Sequence, residues 1–191
     1  SGGYLWLALL LVGIAALVLG MGLPATASYI VLSVMTGPAL QELGLALITA
    51  HMIIFWLAQT SNVTPPIALA AFAGAGVAGA PPMKTAVEAF KLSNGLFVIP
   101  LLMAYTPLLL SEDLGWFDVA FAGFNGLVLI VLLAVVLERF AFCTLQNHEI
   151  ILALICIVLV SVPAMAFKIA GLLLAGVLLF ANQRKSLSDR N

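Results

Sequence analysis

The scarcity of charge is the property of this sequence that most limits what it can fold into. Charged residues make up 8% of the chain and hydrophobic residues 64%, whereas a soluble domain carries about 25% charged residues. A soluble fold of 191 residues has too much surface to cover with so few charges. Lipid is the natural solvent for such a surface, so the sequence predicts an all-α, polytopic membrane protein.

The composition also argues against several kinds of function. There is no basic patch for nucleic acid, and Cys143 and Cys156 lack metal-ligand or CxxC spacing, so we expect both to pack as small apolar residues. The sequence offers no carboxylate pair, no nucleophile near a base and no metal-ligand cluster. We therefore expect a protein that is not an enzyme and has no cofactor. Because the chain opens at Ser1 directly into apolar sequence, we interpret it as the C-terminal part of a longer polypeptide.

Two apolar segments meet the length of a membrane-spanning helix, which is roughly 20 residues. They run over about residues 90–110 and 116–137. A shorter pair follows at about 150–162 and 165–181, with a predicted tight turn at Val162-Pro163-Ala164. The distribution of Lys and Arg predicts a cytoplasmic C-terminus and an extracytoplasmic segment at Ser111–Asp118.

Two further regions consist of apolar stretches too short to span comfortably, joined by residues that break helices. The first interruption is Gly20-Met21-Gly22-Leu23-Pro24, and the second is Gln59–Pro66. Non-helical backbone is tolerated at membrane depth only inside protein or along a wet cavity. The pattern predicts re-entrant or broken helices, and a pair of such interruptions is the best sequence indication of a transporter site. Each interruption taken alone is also compatible with a simple kink.

The second interruption is the more polar of the two. Thr60, Ser61, Asn62 and Thr64 supply hydroxyl and amide oxygens, and the pair Pro65-Pro66 lacks the N–H groups that would cap the preceding carbonyls. Such neutral oxygens suit a bare alkali cation, and exposed helix N-termini attract an anion. For His51, packing is favoured over a role as proton carrier.

The two interruptions and the segments around them resemble the large, DctM-like permease subunit of TRAP transporters (tripartite ATP-independent periplasmic transporters). The strings that carry the resemblance are Gly20-Met21-Gly22-Leu23-Pro24-Ala25-Thr26-Ala27-Ser28-Tyr29, Ala50-His51, Thr64-Pro65-Pro66-Ile67-Ala68-Leu69-Ala70-Ala71-Phe72, Gly76-Val77-Ala78-Gly79-Ala80-Pro81-Pro82-Met83-Lys84 and Tyr105-Thr106-Pro107. The similarity spans about residues 5–110 and is greatest to fused permeases that work with TAXI-type binding proteins. Dicarboxylate-type members usually carry an Asp after the glycine-containing break, where this chain has Pro24, which argues against a C4-dicarboxylate substrate.

The resemblance implies that residues 1–110 are the second repeat of an inverted-repeat, elevator-type transporter. Residues 111–191 look like a C-terminal extension with about three membrane helices. The implied activity is sodium-driven symport of an organic anion across the bacterial inner membrane. The implied partners are a periplasmic TAXI-type binding protein, which delivers the anion, and the N-terminal remainder of the same permease.

The resemblance also implies which residues bind sodium or substrate. They are Gly20, Gly22, Pro24, Thr26, Thr60, Ser61, Asn62, Thr64, Pro65 and Pro66. Several alternatives remain open: proton coupling in place of sodium, a channel, and an accessory membrane subunit without coupled transport. A further rival, an intramembrane enzyme, would need a catalytic constellation in the N-terminal remainder.

Overall fold

The structure, a computed structural model, describes residues 2–106, 115–162 and 164–188. These residues form helices and connecting turns, with one isolated bridge between Phe140 and Thr144 and no strand in the described part. The predicted all-α class is confirmed. The helices are α1 (Leu5–Leu19), α2 (Ala25–Glu42), α3 (Leu47–Gln59), α4 (Leu69–Ala78), α5 (Pro82–Leu92), α6 (Gly95–Tyr105), α7 (Trp116–Glu138), α8 (Asn147–Ser161) and α9 (Met165–Ser188).

Within the described part of the chain, three stretches of helix are long and apolar enough to cross a membrane, judged by length and composition. They are Pro82–Tyr105, which contains α5 and α6, then Trp116–Glu138 and Met165–Leu187. The predicted span at 116–137 is confirmed by α7. The predicted C-terminal helix was too short, because α9 continues to Ser188. Its last turn contains Lys185, and a basic residue there is stabilised by the negative end of the helix dipole.

The predicted span at 90–110 differs from the observed helix at both ends. The helical stretch begins at Pro82, a residue suited to the first turn because its missing N–H is not needed there. Lys84 and Glu88 keep the apolar pattern from beginning at Pro82, but both residues lie within α5. A turn at Ser93 and Asn94 divides the stretch into α5 and α6. Residues 107–110, like residues 111–114 of the predicted segment Ser111–Asp118 and Pro163 of the predicted turn, lie outside the described residues.

The chain divides into two compact units, residues 1–119 and 120–191. The first unit has a buried core formed by α1, α2, α3 and α6, and a second, smaller cluster formed by α4 and α5. The main cluster contains Ala8, Leu9, Val12, Ala16, Leu32, Leu40, Ala50, Ile53, Ile54, Leu57, Ala58 and Met103. The smaller one contains Ala68, Ala71 and Ala86. Large apolar side chains on the outer faces are exposed, for example Val34 and Val77 at 74% and 92%, as a lipid-facing surface requires.

The second unit contains α8 and α9, which pack closely on each other, and most of α7. A Cβ added to Gly171 of α9 would come within 2.8 Å of the Val160 side chain, so glycine permits this close approach. Asn182 of α9 holds the turn between α7 and α8, because its Oδ1 accepts hydrogen bonds from the N–H groups of Phe142 and Cys143 at 3.0 and 3.1 Å. Cys156 is fully buried, as expected for an apolar packing role.

Candidate functional site

The first interruption is present where the sequence predicted it, and it forms the turn of a helical hairpin. α1 ends at Leu19 and α2 begins at Ala25. Between them the N–H of Gly22 bonds the carbonyl of Leu19 at 3.2 Å, and Pro24 adopts an extended conformation before α2. Because α1 and α2 pack against each other, the chain reverses direction here. Of the two predicted possibilities, re-entrant hairpin or broken span, this region is a hairpin.

The second interruption is longer and has a different geometry. α3 ends at Gln59, a single 3₁₀ turn follows at Thr60–Asn62, and α4 begins at Leu69. Pro65 and Pro66 have no N–H, so the carbonyls of the preceding turn lose their helical donors. Ala68 takes up a left-handed conformation (φ 36°) immediately before α4. Regular α-helix is therefore absent between Gln59, where α3 ends, and Leu69, where α4 begins.

The packing of later helices shows that this second region is a broken span and not a hairpin. α4 packs on α5, whereas α3 packs on α6. Since α5 is followed almost directly by α6, the α5–α6 stretch runs antiparallel beside α4 and then α3. We call the α3–α4 stretch the broken arm and the α5–α6 stretch the return arm.

The two interruptions meet at Gly20 and Ser61. A Cβ built on Gly20 would overlap the Cβ and Oγ of Ser61, so the contact depends on the absence of a side chain at position 20. Both residues are buried, with Ser61 4% exposed. Gly20 caps the C-terminus of α1, and Ser61 lies in the turn that ends α3. The contact therefore brings the C-terminal ends of two helices together in the first unit.

The hydroxyl groups of the second interruption all donate to backbone carbonyls. Thr60 Oγ1 donates to Leu57 O at 2.7 Å and Thr64 Oγ1 to Thr60 O at 2.6 Å. Ser61 Oγ donates more weakly to Ala58 O, at 3.4 Å. A hydroxyl that has donated its hydrogen keeps lone pairs for a cation or a donor.

The carbonyls freed by the two prolines are fewer than the sequence suggested. Thr60 O is occupied, because it accepts hydrogen bonds from the N–H groups of Val63 and Thr64 and from the Thr64 hydroxyl. The oxygens that lose their helical donors to Pro65 and Pro66 are those of Ser61 and Asn62, four residues earlier. Asn62 Nδ2 donates to Gln59 Oε1 at 3.3 Å, which leaves the Asn62 amide oxygen as a further acceptor.

Not all predicted site residues come together at this contact. Gly22, Pro24 and Thr26 are exposed at the tip of the hairpin, and a Cβ on Gly22 would meet nothing within 4 Å. Pro66 is exposed as well. The geometry brings together Gly20 and the 3₁₀ turn, and it leaves the rest of the hairpin tip on the surface of the described chain.

A hydrogen bond between Tyr29 and His51 joins the hairpin to the broken arm. Tyr29 Oη lies 3.0 Å from His51 Nδ1, and the two rings meet edge to face with centroids 6.1 Å apart. The rings of Phe55 and Tyr29 also meet edge to face, with centroids 6.0 Å apart. His51 therefore has Tyr29 as a hydrogen-bond partner, which fits a histidine whose role is to pack between helices. Tyr29 was not predicted to have this role, since the pairing joins residues far apart in sequence.

A buried amide at the turn of the return arm was also missed. Asn94 is 5% exposed and lies between α5 and α6. The sequence signal was the polar pair Ser93-Asn94 within the predicted span at 90–110, where polar residues are rare and costly. Among the described residues, no group of three His, Cys, Asp or Glu side chains is placed to hold a metal ion. The side-chain acceptors at the second interruption are hydroxyl and amide oxygens, which are neutral.

Comparison with known proteins gives one finding. A family model described as the tripartite ATP-independent periplasmic transporter, DctM component, matches residues 1–109. Comparisons with curated proteins and with solved structures find no match. The matched region contains the hairpin, the broken arm and the return arm, and every residue predicted for the site.

Proposed function

Because the chain belongs to the DctM component family of tripartite ATP-independent periplasmic transporters, whose model covers more than half of it, we propose that it imports an organic anion with sodium ions as the driving force. A transporter that concentrates its substrate without ATP can draw the free energy from an ion gradient, and this is the source that we propose. We further propose that it lies in the bacterial inner membrane and receives its substrate from a periplasmic binding protein of the TAXI type. The remainder of the permease, N-terminal to this chain, would supply the other repeat.

The observation that supports sodium is the meeting of two helix C-termini at Gly20 and Ser61. The C-terminal end of a helix carries a partial charge equivalent to about −0.5 of an elementary charge. Two such ends brought together repel each other unless a cation lies near both. In a low-dielectric environment this attraction for a cation is stronger than it would be in water.

The chemistry of the available oxygens favours a monovalent ion. From Leu43 to Val87 the sequence contains no Asp or Glu, and Ca²⁺ sites in proteins usually include carboxylates. The acceptors at the second interruption are the carbonyls of Ser61 and Asn62, the amide oxygen of Asn62 and hydroxyls that have donated their hydrogens. A set of neutral oxygens compensates one positive charge more readily than two.

Coupling to an organic anion follows from the same arrangement. The N-terminal ends of α2 and α4 carry partial positive charge, and a bound cation adds to it. A carboxylate would be attracted to a site that already holds sodium and repelled from one that presents only carbonyl oxygens. Sodium would thus raise the affinity for substrate, and by linkage substrate would raise the affinity for sodium.

The decisive experiment uses the complete transporter reconstituted in liposomes with its binding protein. We expect uptake of a radiolabelled organic anion to require both an inward sodium gradient and the binding protein, with potassium unable to replace sodium. A proton gradient that drives uptake equally well without sodium would contradict the sodium assignment. Ion flux that does not depend on the binding protein would favour the channel alternative.

A further inference from the structure

The position of Asn94 along the return arm is set by the contacts on either side of it. Ala86 of α5 belongs to the same buried cluster as Ala68, which precedes α4. Met103 of α6 belongs to the same buried cluster as Leu57 of α3. Asn94 lies about midway between Ala86 and Met103 in sequence. Because α6 packs on α3 and α5 packs on α4, with the two arms antiparallel, the part of the broken arm at the level of Asn94 lies between the end of α3 and the start of α4.

That part of the broken arm is the second interruption. Both arms therefore lose regular helix at the same level, the broken arm at the turn beginning with Thr60 and the return arm at Ser93 and Asn94. A turn in one helix is a common local irregularity. Two turns at one level, each with polar side chains in an apolar unit, indicate a site shared between the arms.

The Asn94 side chain is buried, and only one of its two polar atoms makes a hydrogen bond within the described chain. Its Nδ2 donates to the carbonyl of Lys91 at 3.3 Å. Its Oδ1 is buried and finds no hydrogen-bond partner among the residues that the structure describes. A bare acceptor in a low-dielectric interior is costly, so a buried oxygen of this kind usually has a donor or a cation beside it.

The hydroxyl groups of the second interruption do not donate to this oxygen. The hydroxyls of Thr60, Ser61 and Thr64 each donate to a backbone carbonyl of their own arm. The indole N–H of Trp56, one turn before Thr60, is also buried, and it makes no hydrogen bond to Asn94. A cation would satisfy the oxygen without requiring a hydrogen from either arm.

We propose that the amide oxygen of Asn94 is a ligand of the sodium ion bound at the second interruption. This inference rests on the sodium-driven function proposed above and adds a ligand from the return arm. Sodium would then connect three elements: the end of α1 through Gly20, the turn of the broken arm, and the turn of the return arm. The amide nitrogen of Asn94 remains bonded to Lys91 O and orients the oxygen.

Equilibrium binding of ²²Na⁺ to the complete purified transporter tests this role without knowledge of the substrate. Asn94→Leu removes the oxygen at similar volume, and we expect the apparent Kd for sodium to rise at least tenfold. Asn94→Asp keeps an oxygen and removes the Nδ2 donor, so we expect sodium binding at pH 8 to be retained. If Asn94 served only to hold the turn through Nδ2, the two variants, which both lack this donor, would weaken sodium binding alike, and this result would overturn the proposal.

The second unit provides a matched control. Asn125 of α7 is 4% exposed, donates Nδ2 to the carbonyl of Phe121 at 2.8 Å, and likewise has a buried Oδ1 without a partner among the described residues. Asn125→Leu makes the same chemical change in an uninterrupted helix, and we expect an unaltered sodium Kd. Equal weakening by Asn94→Leu and Asn125→Leu, or no weakening by Asn94→Leu, would overturn the role of Asn94. Absence of saturable ²²Na⁺ binding in the unmutated transporter would instead overturn the sodium-driven function itself.

Discussion

The absence of a side chain at position 20 decides whether the two interruptions can meet. We expect Gly20→Ala to destabilise the protein by about 1–3 kcal/mol, the range for an overpacked buried contact, since the new Cβ overlaps Ser61. Thermal unfolding of the purified transporter in detergent measures the effect. Gly22→Ala is the control, because a Cβ there meets nothing within 4 Å. Equal stability of the two variants would show that the Gly20–Ser61 contact is not formed.

The polar side chains of the second interruption have either a ligand role or a capping role, and substitution separates the two. We expect Asn62→Ala or Thr64→Ala to raise the sodium concentration for half-maximal uptake about tenfold to a hundredfold, which corresponds to the loss of about 1–3 kcal/mol. Uptake is measured against sodium concentration and normalised to folded protein in the membrane. If these residues only cap the broken helix, folded protein will fall while half-saturation stays unchanged in both variants.

At the scale of elements, the Tyr29–His51 bond connects the hairpin to the broken arm. Tyr29→Phe keeps the ring contacts and removes the hydroxyl, so we expect a loss of about 0.5–1.5 kcal/mol, the usual net value of one hydrogen bond. A double-mutant cycle with His51→Leu isolates the pair from the packing that each ring contributes. A coupling energy near zero would mean that the helices are held by packing alone.

The sequence was sufficient to locate both interruptions, because Gly20, Pro24, Pro65 and Pro66 break helices through their own backbone chemistry. It could not distinguish a hairpin from a broken span, since that depends on which helices pack together. The start of α5 was missed for a different reason: hydropathy falls at Lys84 and Glu88, but helix propensity does not.

The candidate site, like the fold, was predictable only in part. Ser61 and the turn around it were indicated by their polarity, whereas the burial of Asn94 depends on an antiparallel neighbour distant in sequence. The exposed position of Gly22, Pro24 and Thr26 was also not predictable. The motif marks them as part of the interruption, but only the fold of the hairpin shows which of its residues point toward the second interruption.

At the scale of the whole molecule, the distribution of Lys and Arg predicts orientation in the membrane. We expect Leu114→Cys to react with a membrane-impermeant maleimide added to intact cells, and Leu187→Cys to be protected until the cells are opened. Cys143 and Cys156, which are both free thiols in the structure, must first be replaced to give a clean background. Labelling of Leu187→Cys without labelling of Leu114→Cys would reverse the predicted orientation.

The close approach of Gly20 and Ser61 has a consequence for how this protein can change over generations. Any larger residue at position 20 is acceptable only after position 61 has become smaller, so the order in which substitutions arise is constrained. Ser61→Gly would open the way to Ala at position 20, whereas the reverse order passes through a clashing intermediate. In a saturation-mutagenesis library, the tolerance of position 20 should therefore depend on the residue already present at position 61.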